Sequence, residues 1–193
     1  MKAGIIGLPN VGKSTLFNCL SNTKAQSANF PFCTIEPNLG KINVPDERLN
    51  YLEKIVDPKK VSPTSIEILD IAGLVKGANK GEGLGNKFLG NIRETDAIIH
   101  VIRCFDDNEI VHVDGSINPI RDKETIEIEL QLKDLESVEK KLSKIERASS
   151  SGDKDAQNEH AVLNKIIDNL KSSRNVRSIK FTEEDRLKFI KPL

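Results

Sequence analysis

The segment Gly7-Leu8-Pro9-Asn10-Val11-Gly12-Lys13-Ser14-Thr15 sets two glycines, a lysine and two hydroxyls at fixed offsets. The spacing fits G-x-x-x-x-G-K-[ST], a loop that closes around phosphate. Gly7 and Gly12 let the backbone turn tightly, so that successive N–H groups face phosphate oxygens. A helix that starts at the lysine adds its partial positive charge to the same place. Lys13 reaches β- and γ-phosphates, and the Ser14 hydroxyl suits Mg²⁺. A second signal follows in Asp70-Ile71-Ala72-Gly73. An aspartate at the carboxyl end of a buried strand, beside a phosphate loop, is placed to hold Mg²⁺, commonly through its water shell. Gly73 can turn its N–H toward a γ-phosphate without steric cost. D-x-x-G is weak alone and strong when it follows a phosphate loop in this order.

These residues need elements to hold them. Lys2 to Ile6 reads as a strand leading into the loop, and Leu16, Phe17 and Leu20 recur at helical spacing up to Ser21-Asn22. Ser65 to Leu69 reads as the strand that delivers Asp70. Between them Asn29-Phe30-Pro31-Phe32-Cys33-Thr34 has no regular period. Two readings of Thr34 stand: a switch threonine whose hydroxyl meets the metal, or an ordinary loop residue. Six of the chain's 12 glycines (Gly73, Gly77, Gly81, Gly83, Gly85 and Gly90) follow Asp70 and suit a loop that γ-phosphate orders. Ala97 to Ile102 is a near-continuous apolar run, expected to be a strand covered on both faces, with His100 a core or strand-end residue.

The phosphate loop, the Asn29–Asn38 segment with Phe-Cys-Thr-Ile-Glu-Pro-Asn, and Asp70-Ile-Ala-Gly-Leu-Val-Lys-Gly-Ala78 together resemble the YchF/Obg-like ATPase subfamily of the Obg-family P-loop GTPases. The likeness covers essentially the whole chain. It implies an α/β P-loop NTPase fold, a mostly parallel sheet flanked by helices, with an inserted antiparallel helical hairpin of coiled-coil type. It further implies a cytoplasmic, Mg²⁺-dependent hydrolase that prefers ATP to GTP and associates with the ribosome or other proteins. Carried over to this chain, Asn10, Val11, Gly12, Lys13, Ser14 and Thr15 grip the nucleotide, and Ser14 and Thr34 ligate Mg²⁺ with Asp70. Lys13, Thr34 and Gly73 serve catalysis. Leu74 stands where Ras-like proteins carry the glutamine that orients the attacking water, and leucine has no group for that task. His112, in Val111-His112-Val113-Asp114-Gly115, is the polar candidate to replace it, against the reading of a solvent-facing loop histidine. Asn10 occupies the position of the asparagine in potassium-responsive GTPases, so K⁺ is a candidate cofactor.

Past Pro119 the composition changes. Ile128, Leu132, Leu135, Val138, Leu142 and Ile145 recur at steps of three and four among dense mixed charge. Ser149 to Asp153 breaks the pattern as a turn, and Val162, Leu163, Ile166, Ile167 and Leu170 form a second stripe. The spacing predicts two helices in an antiparallel hairpin, either a docking surface for RNA or protein or a merely solvated charged face. The expected organisation is a GTPase-domain portion over residues 1–121, the hairpin over 122–175 and a segment returning to the first domain over 176–193. In that segment Thr182 caps a short helix and Pro192 stops it. The narrow seam agrees with a hydrophobic share of 37%.

With 29 basic and 29 acidic residues the charge balance argues against a whole-chain grip on nucleic acid, though not against a local patch, and the apolar runs are too short to span a membrane, so neither DNA nor a membrane is an expected partner. The three cysteines, Cys19, Cys33 and Cys104, lack metal or disulfide spacing and read as reduced thiols. Cys33 is either a redox-sensitive neighbour of Thr34 or a passive thiol. Asn79-Lys80-Gly81-Glu82 resembles the guanine-reading N-K-x-D but lacks a preceding strand, and is rejected. The subfamily's base-reading segment and its TGS domain are expected beyond Leu193. On that reading the chain is the N-terminal portion of a longer protein, with an exposed sheet edge and marginal stability or self-association.

Overall fold

The computed structural model describes residues 1–21, 37–71, 73, 84–107 and 109–193, with the backbone alone for 84–87. Thr34, Cys33 and Leu74 lie outside the described residues, as do most of the Asn29–Asn38 segment and the rejected Asn79–Glu82 match.

The first unit, Met1–Ile126, is built on four strands. These are β1 (Lys2–Ile6), β2 (Asn38–Asn43), β3 (Ser65–Asp70) and β4 (Ala97–His100), in the order β2-β3-β1-β4. β1 runs parallel to both β3 and β4, whereas β2 is antiparallel to β3. The strand β1 lies inside the sheet, and its Ala3, Ile5 and Ile6 are buried accordingly. Helix α1 (Lys13–Ser21) packs on the sheet through Phe17, which shares a buried cluster with Ile5 and Ile68. Register places Ile5 opposite Asp70 and Ile6 opposite His100, so the carboxyl ends of the parallel strands open on the same side. Ligands of parallel α/β sheets bind at that end.

Two expectations are revised here, and one helix appears that no pattern announced. The strand within Ala97–Ile102 ends at His100 and is not covered on both faces: β4 is the last strand in the order and Ile98 is exposed. Gly85 and Gly90 belong to helix α3 (Leu84–Arg93), not to a loop; the packing of that helix, through buried Phe88, overrides the low helix propensity of glycine. Helix α2 (Glu47–Val56), started by Asp46 accepting the Arg48 N–H at 3.0 Å, has no buried residue and therefore leaves no core stripe to read.

The second unit, Glu127–Leu193, is helical. Helix α4 (Pro119–Ser150) crosses the division between the units, and a short turn separates it from α5 (Lys154–Lys171). Asp153 caps α5 by accepting the N–H groups of Asp155 and Ala156. The ion pairs Lys141–Glu159 and Arg177–Glu127, with the Gln131–Asn175 hydrogen bond, join positions whose numbers rise on one side as they fall on the other. That is the signature of an antiparallel hairpin. Val138 from α4 meets Val162, Leu163, Ile166, Ile167 and Leu170 from α5 in one core. Leu135, Leu142 and Ile145 pack against it, but Ile128 and Leu132, at the start of the stripe, are exposed. The division falls after Ile126, not after residue 121, and residues 176–193 group with the helices. The reason is packing: Phe189 is part of the hairpin core and Val176, Ile179, Phe181 and Ile190 cover it. Thr182 caps this segment by accepting the Asp185 N–H at 3.1 Å.

Truncation should separate seam from surface. Leu163 is fully buried, and Leu163→Ala is expected to lower stability by about 2–5 kcal/mol. Leu52→Ala, on the exposed face of α2, should stay within about 0.5 kcal/mol of the parent. Urea unfolding of both variants checks the contrast, and equal losses would contradict the assigned burial.

Candidate functional site

The loop between β1 and α1 is shaped by its backbone. Asn10 and Gly12 take left-handed conformations, with φ of 62° and 98°. Consecutive residues around such angles form a concave row of amides suited to an anion. Helix α1 starts its ladder with the Leu16 N–H donating to Gly12 O at 2.9 Å. The amides of Lys13, Ser14 and Thr15 thus lie in the first turn, where no helical carbonyl is available to them. Val11, buried with Leu8, anchors the loop on the apolar side.

Lys13 is buried, and its ammonium donates to Leu8 O at 2.7 Å, back onto its own loop. Burial lowers its pKa to about 8, against the partial support of the Asp70 charge. Asp70 is buried as well, and burial raises its pKa against hydrogen bonds from Ser14 and Asn38 and the charge of Lys13. The Ser14 hydroxyl donates to Asp70 Oδ2 at 2.6 Å, which joins the first turn of α1 to the end of β3. Asn38 lies opposite Asp70 in the antiparallel register of β2 and β3. Sequence reading passed over Asn38, since nothing in its neighbourhood reveals which strand pairs with β3.

Gly73 approaches the loop from the other side. A Cβ on it would sit 2.9 Å from Pro9 N and 3.0 Å from Lys13 Nζ, closer than a side chain can stand. Lys13, Ser14, Asp70 and Gly73 are therefore brought together, with Asn10 to Thr15 around them. Thr34, expected as a further metal ligand, lies outside the described residues.

The oxygens of Ser14 and Asp70 form a hard-donor pair, which suits Mg²⁺; this ion takes one or two protein oxygens and fills its octahedron with water and phosphate. Among the described residues no group of three His, Cys, Asp or Glu side chains assembles to hold a metal without such help.

His112 is buried, unlike a solvent-facing loop histidine. Its Nδ1 accepts the Asp114 backbone N–H at 3.1 Å, and its Nε2 lies 2.9 Å from Asp122 Oδ2. Both ring nitrogens are committed in this arrangement, so a role in orienting water requires one of these bonds to open. The loop carrying it touches the phosphate loop, because the Asn10 side chain donates to Val111 O at 3.1 Å. Arg103, fully buried, holds the preceding residues by donating to the carbonyls of Phe105, Asp107 and Ile110.

Residues 2–144 match the family described as 50S ribosome-binding GTPase. The chain is 53% identical over 193 residues to the ribosome-binding ATPase YchF of Bacillus subtilis (strain 168), covering 100% of this chain and 52% of that protein. Identity to the protein of the same description from Escherichia coli O157:H7 is 52% over 185 residues, 96% of this chain and 51% of the other. The solved structure of the Schizosaccharomyces pombe YchF GTPase superposes with a TM-score of 0.78 at 40% identity, over 100% of this chain and 52% of that one. The chain thus spans about half the length of the relatives it matches. With its phosphate loop, sheet order and D-x-x-G aspartate accounted for, the chain belongs to the 50S ribosome-binding GTPase family, in its YchF branch.

Proposed function

We propose that this chain carries the phosphate-binding and magnesium-binding half of a nucleoside triphosphatase that hydrolyses ATP in preference to GTP and acts as a ribosome-associated switch in the cytoplasm. One observation carries the reading: a buried lysine and a buried aspartate, both disfavoured as charges by burial, meet beside a row of backbone amides. The two charges support each other only in part, so the ammonium favours a further anion and the carboxylate a further cation. A magnesium-bound triphosphate supplies both at once, which no single ion does. When bound, Mg²⁺ would be held by Ser14 and Asp70, with Thr34 as a proposed third ligand, and would screen the charge of the phosphates.

The chain's own groups then have separate tasks. Lys13 leaves Leu8 O for phosphate oxygens. The amides of residues 10–15 hold the phosphate tail in place. Gly73, already against Pro9 and Lys13, brings its N–H to the γ-phosphate region. The ATP preference rests on the described activity of the relatives, as does the ribosome. K⁺, through Asn10, is a further proposed activator, tested by exchanging K⁺ for Na⁺ in turnover assays.

A second reading has a specific observation behind it. His112 has both nitrogens engaged and Leu74 has no polar group, so basal hydrolysis is slow and the triphosphate form is long-lived. The protein then works as a nucleotide-gated binding module in which hydrolysis only resets the state. Ribosome co-sedimentation with ATP, a non-hydrolysable analogue and ADP separates the readings. A switch binds with the first two and releases with ADP; binding that ignores the nucleotide removes gating from both.

Two substitutions test the site itself in the intact protein. Lys13→Ala is expected to weaken binding of a fluorescent ATP analogue by roughly 30-fold or more, the effect of truncating one partner of a buried charge pair. Unchanged affinity would refute the assignment. Asp70→Asn keeps the shape and removes a charge that burial disfavours. The metal-free protein should melt at a lower temperature, because Lys13 loses the charge that supports it, and magnesium-dependent turnover is lost. A variant that still responds to magnesium would exclude Asp70 from the metal site.

A further inference from the structure

A second polar cluster lies beside the phosphate loop and takes no part in holding phosphate. Its members are His112 and Asp122, both buried, with Arg121, Asp114 and Ser116 around them. We propose that Asp122 is a positioning residue for His112, forming a carboxylate–imidazole pair whose water-accepting nitrogen is covered by the Asp114 N–H until the turn over residues 112–115 opens. The inference rests on the triphosphatase reading above.

The tautomer follows from the hydrogen bonds. A backbone N–H only donates, so Nδ1, which accepts from Asp114, carries the lone pair. The ring proton therefore sits on Nε2 and is donated to Asp122 Oδ2 at 2.9 Å. The carboxylate is itself fixed. Its other oxygen accepts from Arg121 Nε at 3.1 Å and Nη2 at 2.9 Å, and Arg121 Nη1 donates to the Ser116 hydroxyl at 2.9 Å. Asp122 also stands in the first turn of α4, where a helix favours negative charge, and its own N–H is held by Asn118 O at 2.9 Å. A carboxylate that binds one ring N–H sets the orientation and tautomer of the imidazole and leaves the lone pair on the opposite nitrogen.

That opposite nitrogen is Nδ1, and its cover is slight. The Asp114 N–H comes from a turn closed by the Gly115 N–H to His112 O at 3.1 Å. Residues 113–116 are exposed, and opening the turn to uncover Nδ1 parts Asp114 from Arg121, which keeps its own bonds to Asp122. The residue before His112 is already tied to the phosphate loop through Asn10 and Val111 O. A change in Asn10 on nucleotide binding therefore acts on the same turn. Catalytic contacts that form only in the complex are common. The opened ring offers what Leu74 lacks: a lone pair to which a water can donate.

The test compares Asp122→Asn, His112→Ala and the double variant in the intact protein by steady-state ATP turnover with magnesium. Each single variant is expected to lose about tenfold or more in kcat, while KM and the affinity for a non-hydrolysable ATP analogue stay within about twofold. The double variant should be no slower than His112→Ala alone, because the two residues act as a unit. Wild-type turnover in Asp122→Asn, or losses that multiply in the double variant, would overturn the proposal. Should Asp122→Asn fail to fold, ¹⁵N spectra of the wild-type imidazole decide: the proposal requires an Nε2–H tautomer and a change at Nδ1 when the analogue binds. An Nδ1 signal that is the same with and without analogue removes the covering contact from the mechanism. Analogue binding that survives Lys13→Ala would instead count against the triphosphatase reading and leave the pair untouched.

Discussion

The arrangement depends on two opposite charges buried at the carboxyl ends of neighbouring strands. Lys13 opens helix α1 after β1, and Asp70 ends β3, directly opposite Ile5 of β1. Each is disfavoured by burial and each partly supports the other. Removal of one partner from a buried pair leaves an uncompensated charge, which is more damaging than the pair is favourable. The local geometry therefore keeps both. Ser14 occupies Asp70 and Leu8 O occupies Lys13, so each buried polar group has a hydrogen-bond partner. These contacts are short and local, and they are of the kind that a charged ligand can exchange.

The rest of the first unit follows from holding those charges in place. Because β1 lies inside the sheet and packs Phe17 of α1 through Ile5, the helix start cannot drift relative to the strand end. Gly73 must be small because Pro9 and Lys13 already occupy the space a side chain would take. A glycine in D-x-x-G is thus a packing requirement here as well as a conformational one. Asn38 adds a constraint from the far side of β3, where the antiparallel β2 brings its side chain to the Asp70 carboxyl.

Much of this was legible in the sequence. The phosphate loop, its strand and helix, and Asp70 at a strand end all depend on local patterns of glycine, charge and apolar spacing, and local patterns survive without tertiary knowledge. The seam of the hairpin was legible for the same reason, from Leu135 onward. The features that escaped depend on pairing between distant segments. Asn38 matters because of strand register, and Asp122 matters because of a histidine ten residues earlier, at a spacing that no repeat period marks. Helix α2 escaped for the opposite reason: without a buried face it imposes no hydrophobic period. The grouping of residues 176–193 followed from where Phe189 and its neighbours find apolar partners, which a linear pattern does not specify.

The commitments of His112 also change how the missing glutamine is understood. A leucine at position 74 shows only that one route to orienting water is closed. The bonds of His112 show another polar group, next to a residue tied to the phosphate loop, that is held in a defined tautomer with its acceptor nitrogen occupied. A buried imidazole needs partners at both nitrogens, and here one is a clamped carboxylate and the other a backbone amide on an exposed turn. Both features together describe a group held ready but not engaged. The exposed turn over residues 113–116 buries little surface and is held through Asp114 and Ser116 to Arg121, so it is the element that can change between those conditions. On the proposed mechanism slow basal chemistry would be a property of how the loop is folded, and the residue before His112 contacts the phosphate loop through Asn10.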